Sequence, residues 1–253
     1  MISLRTLILS FSNRLYGARE DKEIFRAQEV LFTNLKLDRQ LGVARLNEVC
    51  KKKFGKNYDE HNGMWSEHLV FFASLSLSTT PVSRILEIGT FKGEATSILS
   101  ELFPDSQIIS VDLNHEAIRE NSTYSYALSD IKAFASAPNL KNVEFLEMNS
   151  VKLVEYSEKF DLIWVDGYHL SPTVIMDITN AVRLLRKGGI ALCDDVYLRS
   201  SWIEIDSDLS SKMALEELAS TKLISLSYVY KRIGKKFNNF AVGSKRLGVA
   251  IKN

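Results

Sequence analysis

The stretch that most constrains the fold is a short apolar run that ends in a glycine loop. Ile85 to Ile88 predicts a buried strand, a tight loop runs from Gly89 to Gly93, and helical apolar spacing follows as far as Leu102. A strand, a glycine loop and a helix start place a ligand at the carboxyl end of a parallel strand. The sequence therefore predicts an α/β fold with a ligand site at this loop. The alternative is a plain strand-to-helix turn.

The residues of the loop favour a particular kind of ligand. Phe91 stands where the dinucleotide fingerprint Gly-x-Gly-x-x-Gly has its second glycine, and a bulky side chain there disfavours a pyrophosphate. The carboxylate of Glu87, two residues before Gly89, is placed to bind an ammonium group. The loop therefore favours a ligand with a positive amino acid end. A Rossmann-like enzyme that uses a nicotinamide is the less favoured alternative.

Four further apolar runs predict strands that end in polar residues. They are 107–111, which ends at Asp112; 142–148, which ends at Asn149 and Ser150; 160–165, which ends at Asp166; and 189–193, which ends at Asp194 and Asp195. Open parallel sheets bind ligands at the carboxyl ends of their strands, so we expect these polar residues at one edge. Asp112 follows the glycine loop by about 20 residues, the spacing at which such folds present an acid to ribose hydroxyls.

Four ordered segments, 85–93, 109–114, 160–169 and 184–196, carry a family resemblance. From about Met64 onwards the chain resembles class I S-adenosylmethionine-dependent methyltransferases. It is most similar to the metal-dependent O-methyltransferases, namely the catechol O-methyltransferase type and the bacterial sugar O-methyltransferases, with which cephalosporin hydroxylase-like proteins group. The resemblance implies a Rossmann-like, doubly wound, mostly parallel seven-stranded sheet with an antiparallel C-terminal strand. Residues 1–60 would be a helical cap or oligomerisation region, and 61–253 the methyltransferase domain.

The resemblance also implies S-adenosylmethionine as the cofactor and assigns residues to its parts. The predicted cofactor residues are Glu87, Gly89, Thr90 and Gly93 at the methionine end and the loop, Asp112 with Leu113 at the ribose, Ser150 at the adenine edge, Asp166 at the amino group, and Trp65 at the wall. For Trp65, a place in the hydrophobic core is an equal alternative.

Three acids predict a metal site. Asp166, Asp194 and Asp195 follow strands that are expected to be neighbours, and converging carboxylates repel one another unless a cation neutralises them. Oxygen ligands suit Mg²⁺, with Mn²⁺ or Ca²⁺ as substitutes. The resembling family has its metal ligands at these positions. The alternative is that one of the acids caps a helix or contacts the cofactor.

His169, three residues after Asp166, is the predicted catalytic base. Among side chains, histidine is suited to taking a proton from a hydroxyl near neutral pH. The catechol-type enzymes have a lysine at this place and the sugar-type enzymes a histidine, which favours an aliphatic hydroxyl as the acceptor. Asp166 is predicted to contribute to catalysis through both the metal and the cofactor.

These assignments predict a divalent-metal-assisted O-methyltransferase that acts on a hydroxyl of a small molecule, such as a sugar of a glycan or natural product. The alternative is a protein of the same fold, cofactor-binding or hydroxylase-like, that transfers no methyl group. The net charge of +1 gives no reason to expect a nucleic-acid partner. The two cysteines form no disulfide framework, and no stretch has the roughly 20 apolar residues that span a membrane. A cytoplasmic homo-oligomer is expected.

Overall fold

The structure is a computed structural model that describes residues 23–61, 63, 65–113, 140–198, 209–233 and 245–253. Its strands are β1 (Arg84–Ile88), β2 (Gln107–Asp112), β3 (Val143–Glu147), β4 (Phe160–Val165), β5 (Leu185–Tyr197), β6 (Ile224–Tyr230) and β7 (Lys245–Lys252). Its α-helices are α1 (23–34), α2 (Arg39–Phe54), α3 (Glu67–Ser76), α4 (Glu94–Leu102), α5 (Thr173–Leu184) and α6 (Ser210–Ser220), and a 3-10 helix spans Ser150–Glu155. The sequence also predicts one or two helices over 114–137, an amphipathic helix over Met1–Phe11 and a polar loop from Val196 to Ser211. The two helical segments and most of this loop lie outside the described residues.

The strands form one sheet in the order β3-β2-β1-β4-β5-β7-β6. The first five pair in parallel, and β7 pairs antiparallel with both β5 and β6. This arrangement confirms the predicted Rossmann-like fold with its antiparallel C-terminal strand. Because β1 lies between β2 and β4, the chain changes direction across the sheet at β1. Open α/β sheets bind their ligands at such a point.

Two hydrophobic clusters cover the two faces of the sheet. One packs α1 to α4 against β1 and β4, and the other packs α5 and α6 against the opposite face. Central parallel strands with both faces covered are near-continuous apolar runs, as β4 is. The first cluster contains residues from both of the predicted segments, 1–60 and 61–253. Phe32 and Leu46 of the first segment belong to the same cluster as Phe71 and Trp164 of the second.

The fifth strand is longer than the sequence predicts. It begins at Leu185, directly after α5, and reaches Tyr197, whereas the predicted strand was limited to 189–193. The sequence predicts that Gly188 and Gly189 end the preceding helix, but the helix ends at Leu184 and both glycines lie within the strand. Gly188 has a φ of 76°, and the pairing of β4 with β5 shifts register around Asp161, so the strand bends there and continues.

An ion pair joins the N-terminal helices to α3. The guanidinium of Arg39 donates to both carboxylate oxygens of Glu67 at 2.8 Å, and Gln28 donates to the same carboxylate at 3.0 Å. All three residues are buried. Within the described part of the chain, no helix has both the length and the apolar character needed to cross a membrane.

The close contact of α2 with α3 gives a first prediction. A Cβ on Gly42 would lie 2.0 Å from Oγ of Ser74, which donates to the carbonyl of Val70. We expect Gly42→Ala to lower the free energy of unfolding by about 1–3 kcal/mol, because overpacking outweighs the ~1 kcal/mol gain in helix propensity. Urea unfolding measures the change.

A second substitution serves as the control. Ser74→Ala removes the hydroxyl that the new methyl group would meet, so the double variant should recover part of the stability lost in Gly42→Ala. A single variant as stable as the wild type would show that the two helices do not pack this closely.

Candidate functional site

A cleft lies at the carboxyl ends of β1, β2 and β4. The residues that line it are Ile88, Gly89, Phe91, Val111, Asp112, Leu113, Met148, Asn149, Ser150, Asp166, Gly167, Tyr168 and Thr173. Five of the predicted cofactor residues are among them, namely Gly89, Asp112, Leu113, Ser150 and Asp166. The structure therefore brings together the loop, ribose, adenine and amino-group positions that the sequence predicted.

The cleft exists because the chain after β1 passes very close to the chain after β4. The amide of Asp166 donates to the carbonyl of Ile88 at 2.8 Å, and Gly89 has a φ of 97°. A Cβ on Gly89 would lie 2.2 Å from the carbonyl oxygen of Asp166. Only glycine fits at this position, both for its backbone conformation and for this close approach.

Asp112 fixes the conformation of the glycine loop. One of its carboxylate oxygens accepts from the amides of Thr90 and Phe91 at 2.9 and 2.8 Å, and the other accepts from the amide of Leu113 at 2.7 Å. Phe91 itself has a φ of 48°. Gly93, at the start of α4, donates its amide to the carbonyl of Thr90 at 2.8 Å. Thr90 and Gly93 thus shape the loop behind the cleft and are not among its lining residues.

Glu87 lies behind the loop and not in the cleft wall. Its carboxylate is fully buried and accepts from the hydroxyls of Thr96 and Ser110, while its Oε1 has no hydrogen-bond partner. Burial raises the pKa of Glu87 to about 7, although the two hydroxyls act in the opposite direction. In this structure Glu87 connects β1 to β2 and α4.

Trp65 lies where the core alternative places it. Its ring is 2% exposed and packs against Phe54 and Tyr58, with centroids at 5.5 and 6.2 Å. Its Nε1 donates to Glu94 at 2.9 Å. It does not belong to the residues that line the cleft, so its predicted contact with a cofactor stays a prediction.

Behind Ser150 lies an acid that sequence reasoning missed. The hydroxyl of Ser150 hydrogen-bonds Asp177 of α5, whose carboxyl is buried and whose Oδ1 has no partner. Burial raises the pKa of Asp177 to about 6. A Cβ on Gly167 would lie 3.2 Å from this carboxyl, so Asp177 forms part of the support beneath the cleft.

An acid cluster adjoins the cleft at the ends of β4 and β5. Asp166, His169 and Asp194 each present one ligand atom, and these atoms lie within 4.8 Å of one another. The Nε2 of His169 is 3.6 Å from Oδ1 of Asp166, and the imidazole is 37% exposed. The Oδ1 of Asp194 is buried without a hydrogen-bond partner. The predicted base and two of the predicted metal ligands are therefore neighbours.

Two lysines bind the acids of β5. The Nζ of Lys231 lies 2.7 Å from Oδ2 of Asp194 and also contacts Oδ1 of Asp195, whose other oxygen accepts from Lys245 at 2.9 Å. Consecutive strand residues ordinarily point to opposite faces. The register of β5 with β7 shifts between Cys193 and Val196, and Asp195 has a φ of 48°, so this bulge lets both carboxylates reach one ammonium group.

The charges of the cluster act on one another. Burial, together with the carboxylate of Asp194, raises the pKa of Asp166. Burial would raise the pKa of Asp194 as well, but the ammonium of Lys231 holds it below its usual range. Burial would lower the pKa of Lys231, and its two carboxylate partners raise it instead. The carboxylate of Asp194 and the ammonium group of Lys231 therefore stabilise each other's charged forms, and the pKa of the neighbouring Asp166 is raised.

The predicted metal ligands do not fit a divalent cation as they stand. Asp195 is directed to the two lysines, and an ammonium group already neutralises Asp194. The three groups that do converge include His169, which leaves two oxygen-donor residues where three were predicted. Mg²⁺ prefers oxygen ligands and carries two charges. We therefore assign no chemical step to a metal ion.

Sequence reasoning also missed Lys231. The runs Ile224–Val229 and Leu247–Ile251 predict an antiparallel hairpin, and the basic residues that begin its connection, Lys231 among them, favour a plain soluble loop. A signal for it exists in the topology. Because β7 is antiparallel to both of its neighbours, β6 runs parallel to β5, and its last residue is at the edge where the ligand-binding ends lie. Arg246 pairs with Val196 on one side and Tyr230 on the other, so Lys231 follows at the level of the acids.

Comparisons with known proteins agree with this geometry. Residues 86–196 match the model of a family described as a methyltransferase domain. No curated protein is similar enough in sequence to match. Among solved structures, the O-methyltransferase TomG from Streptomyces achromogenes, involved in tomaymycin synthesis and solved in complex with SAM, is similar at 18% identity and a TM-score of 0.52. The similarity covers 89% of this chain and 95% of that one.

Two further structures share the fold. A candidate O-methyltransferase from Klebsiella pneumoniae is 16% identical with a TM-score of 0.52, over 90% of this chain and 96% of that one. A candidate rRNA methylase from Clostridium thermocellum is 14% identical with a TM-score of 0.50, over 76% and 98%. At such identities the similarity shows the fold alone. The names of these proteins cover more than one kind of methyl acceptor.

The matched segment runs from β1 to the end of the acid cluster and so contains most of the cleft. Residues 86–196 are thus similar to a methyltransferase domain. The fold of the chain is the one found in class I O-methyltransferases.

The buried carboxyl of Glu87 predicts how stability depends on pH. Its pKa in the folded protein, about 7, exceeds its ordinary value of 4.5, so the folded state retains a proton that the unfolded state loses between these values. Stability should therefore fall as the pH rises through this window, by an amount on the order of 3 kcal/mol. Urea unfolding of the wild type and of Glu87→Gln over this range tests it, since glutamine does not titrate and should make the decline shallower by this amount, leaving the part that Asp177 contributes.

Glu144→Gln, which changes an exposed glutamate of β3, is the matched control and should preserve the wild-type dependence. An equally steep decline in Glu87→Gln would show that another group is responsible.

Proposed function

We propose that this protein transfers the methyl group of S-adenosylmethionine to a hydroxyl of a small molecule, such as a sugar of a glycan or natural product. The observation that carries the proposal is the position of His169. Its imidazole is partly exposed, lies 3.6 Å from the carboxyl of Asp166, and stands beside the cleft that the glycine loop forms. A base beside a cofactor cleft is the arrangement that hydroxyl methylation needs.

The polar groups of the cleft suit the proposed cofactor. Gly89 lines the cleft without a side chain, and the carboxyl of Asp112 lies at the cleft wall beside Leu113. Ser150 and Asn149 offer hydroxyl and amide groups to a purine edge. When bound, the cofactor supplies an already reactive methyl group, so orientation by these residues would account for much of the rate.

His169 would remove the proton of the acceptor hydroxyl at its Nε2 as the oxygen attacks the methyl carbon. The chain's net charge of +1 supports a small acceptor over a nucleic acid. The divalent cation, the cytoplasmic location and the self-association expected from the sequence stay predictions.

The first test is the binding of S-adenosylhomocysteine, measured by calorimetric titration, with NAD as the control ligand. We expect micromolar binding of the former and no binding of NAD. Asp112→Ala should weaken binding by about tenfold or more, since it removes both the predicted ribose contact and the acceptor of the loop amides. Asp105→Ala, an exposed acid before β2, should bind as the wild type does.

If S-adenosylhomocysteine did not bind, the glycine loop would be only an element of the fold and the proposed function would fail. If it bound while no hydroxylated acceptor were methylated, the same-fold alternative without methyl transfer would be favoured.

The second test concerns the base. With methyl-labelled S-adenosylmethionine and a panel of sugars and phenols, we expect transfer to a sugar hydroxyl. His169→Ala should lower its rate by a factor on the order of 100 or more, while the affinity for S-adenosylhomocysteine is retained. His61→Ala changes an exposed histidine and is the control. Unchanged turnover in His169→Ala would exclude His169 as the base.

A further inference from the structure

Lys231 is a buried lysine in the middle of the acid cluster. Its side chain is 11% exposed, and its ammonium group contacts carboxylates of both Asp194 and Asp195. Lys245 binds the second oxygen of Asp195 from the start of β7. The two lysines therefore bind Asp194 and Asp195, the two residues of β5 that the sequence predicted as metal ligands.

The position of Lys231 is fixed by the backbone on each side of it. The side-chain Nε2 of Gln28 donates to the backbone carbonyl of Tyr230 at 3.1 Å. The Oε1 of the same side chain accepts from the backbone amide of Tyr230 at 2.9 Å. The amide of Glu67 donates to the carbonyl of Lys231 at 3.0 Å. Two residues on, the amide of Ile233 donates to Glu60 at 2.9 Å. Helices α1 and α3 thus hold Lys231 in register with the acids.

We propose that Lys231 is the resident cation of this site, and that its ammonium group orients Asp194 and Asp195 as a divalent metal ion does in the enzymes that the sequence resembles. The inference rests on the proposed function for the role of the cluster beside the acceptor. It goes beyond that function because it assigns the neutralisation of the acid cluster to a lysine of the chain and not to a bound metal ion.

The charge balance of the cluster supports the assignment. Asp166, Asp194 and Asp195 bring three negative charges when all are ionised, and the two lysines compensate two of them. A divalent ion added to this set would leave excess positive charge in a mostly buried place, which is unfavourable. Without Lys231 the same cluster would have room, charge and the unpartnered Oδ1 of Asp194 for such an ion.

Manganese binding tests the proposal, because free Mn²⁺ is counted directly by its paramagnetic resonance signal. The wild type should bind Mn²⁺ no more tightly than Asp194→Asn does. Lys231→Met should bind it more tightly by about tenfold or more, because the competing ammonium group is gone. The combination of Lys231→Met with Asp194→Asn should abolish the gain, which would place the ion in the cluster. Lys51→Met, on the exposed side of α2, makes the same change in charge and should show no gain.

Tight Mn²⁺ binding to the wild type that Asp194→Asn removes would overturn the proposal, as would Lys231→Met without a gain. If Lys231→Met does not fold, the comparison of the wild type with Asp194→Asn decides alone. S-adenosylhomocysteine titrated into the wild type with and without EDTA separates the two proposals. Equal binding in both is expected, whereas no binding in either would refute the proposed function and leave the manganese result valid.

Discussion

The close approach of the chain after β1 to the chain after β4 is the contact on which the cleft depends. The carbonyl of Asp166 occupies the space that a side chain on Gly89 would need. The carbonyl of Ile88 can therefore accept from the amide of Asp166. The carboxyl of Asp166 then lies between the cleft and the acid cluster. A larger residue at position 89 would separate these two strand ends. The cofactor cleft and the cluster would then no longer share a wall.

The second constraint is electrostatic. Acids that gather at one edge of a sheet need partners, and the chain supplies them from elements far apart in sequence. The antiparallel hairpin of β6 and β7 provides Lys231 and Lys245, while the N-terminal helices provide Gln28 and the pair of Arg39 with Glu67. The N-terminal helices therefore do more than cover the core. Gln28 of α1 bonds to Tyr230 and Glu67 of α3 bonds to Lys231, and together they determine where the positive charge of the site lies.

Periodic and local features of the sequence were sufficient for the fold and for the cleft. Apolar runs that end in polar residues located the five parallel strands, and the spacing from the glycine loop located Asp112 at the cleft. What could not be predicted depends on contacts between distant segments. The bulge at Asp195 and the ammonium of Lys231 arise from the register of β5, β7 and β6, and no local pattern encodes that register. The greater length of β5 has a similar origin, since pairing with β4 extends the strand to Leu185, past Gly188 and Gly189.

The acids at the strand ends differ in what stabilises each of them, and this difference separates their roles. Glu87 is held by hydroxyls in a buried place, where the neutral form is favoured, so it belongs to the framework. Asp112 accepts from backbone amides, so it determines the shape of the loop that it also presents to the cleft. Asp194 is ionised against an ammonium group and keeps one oxygen without a partner. Of the three, only Asp194 combines an ion pair with an oxygen that has no hydrogen-bond partner, and it lies in the cluster with His169.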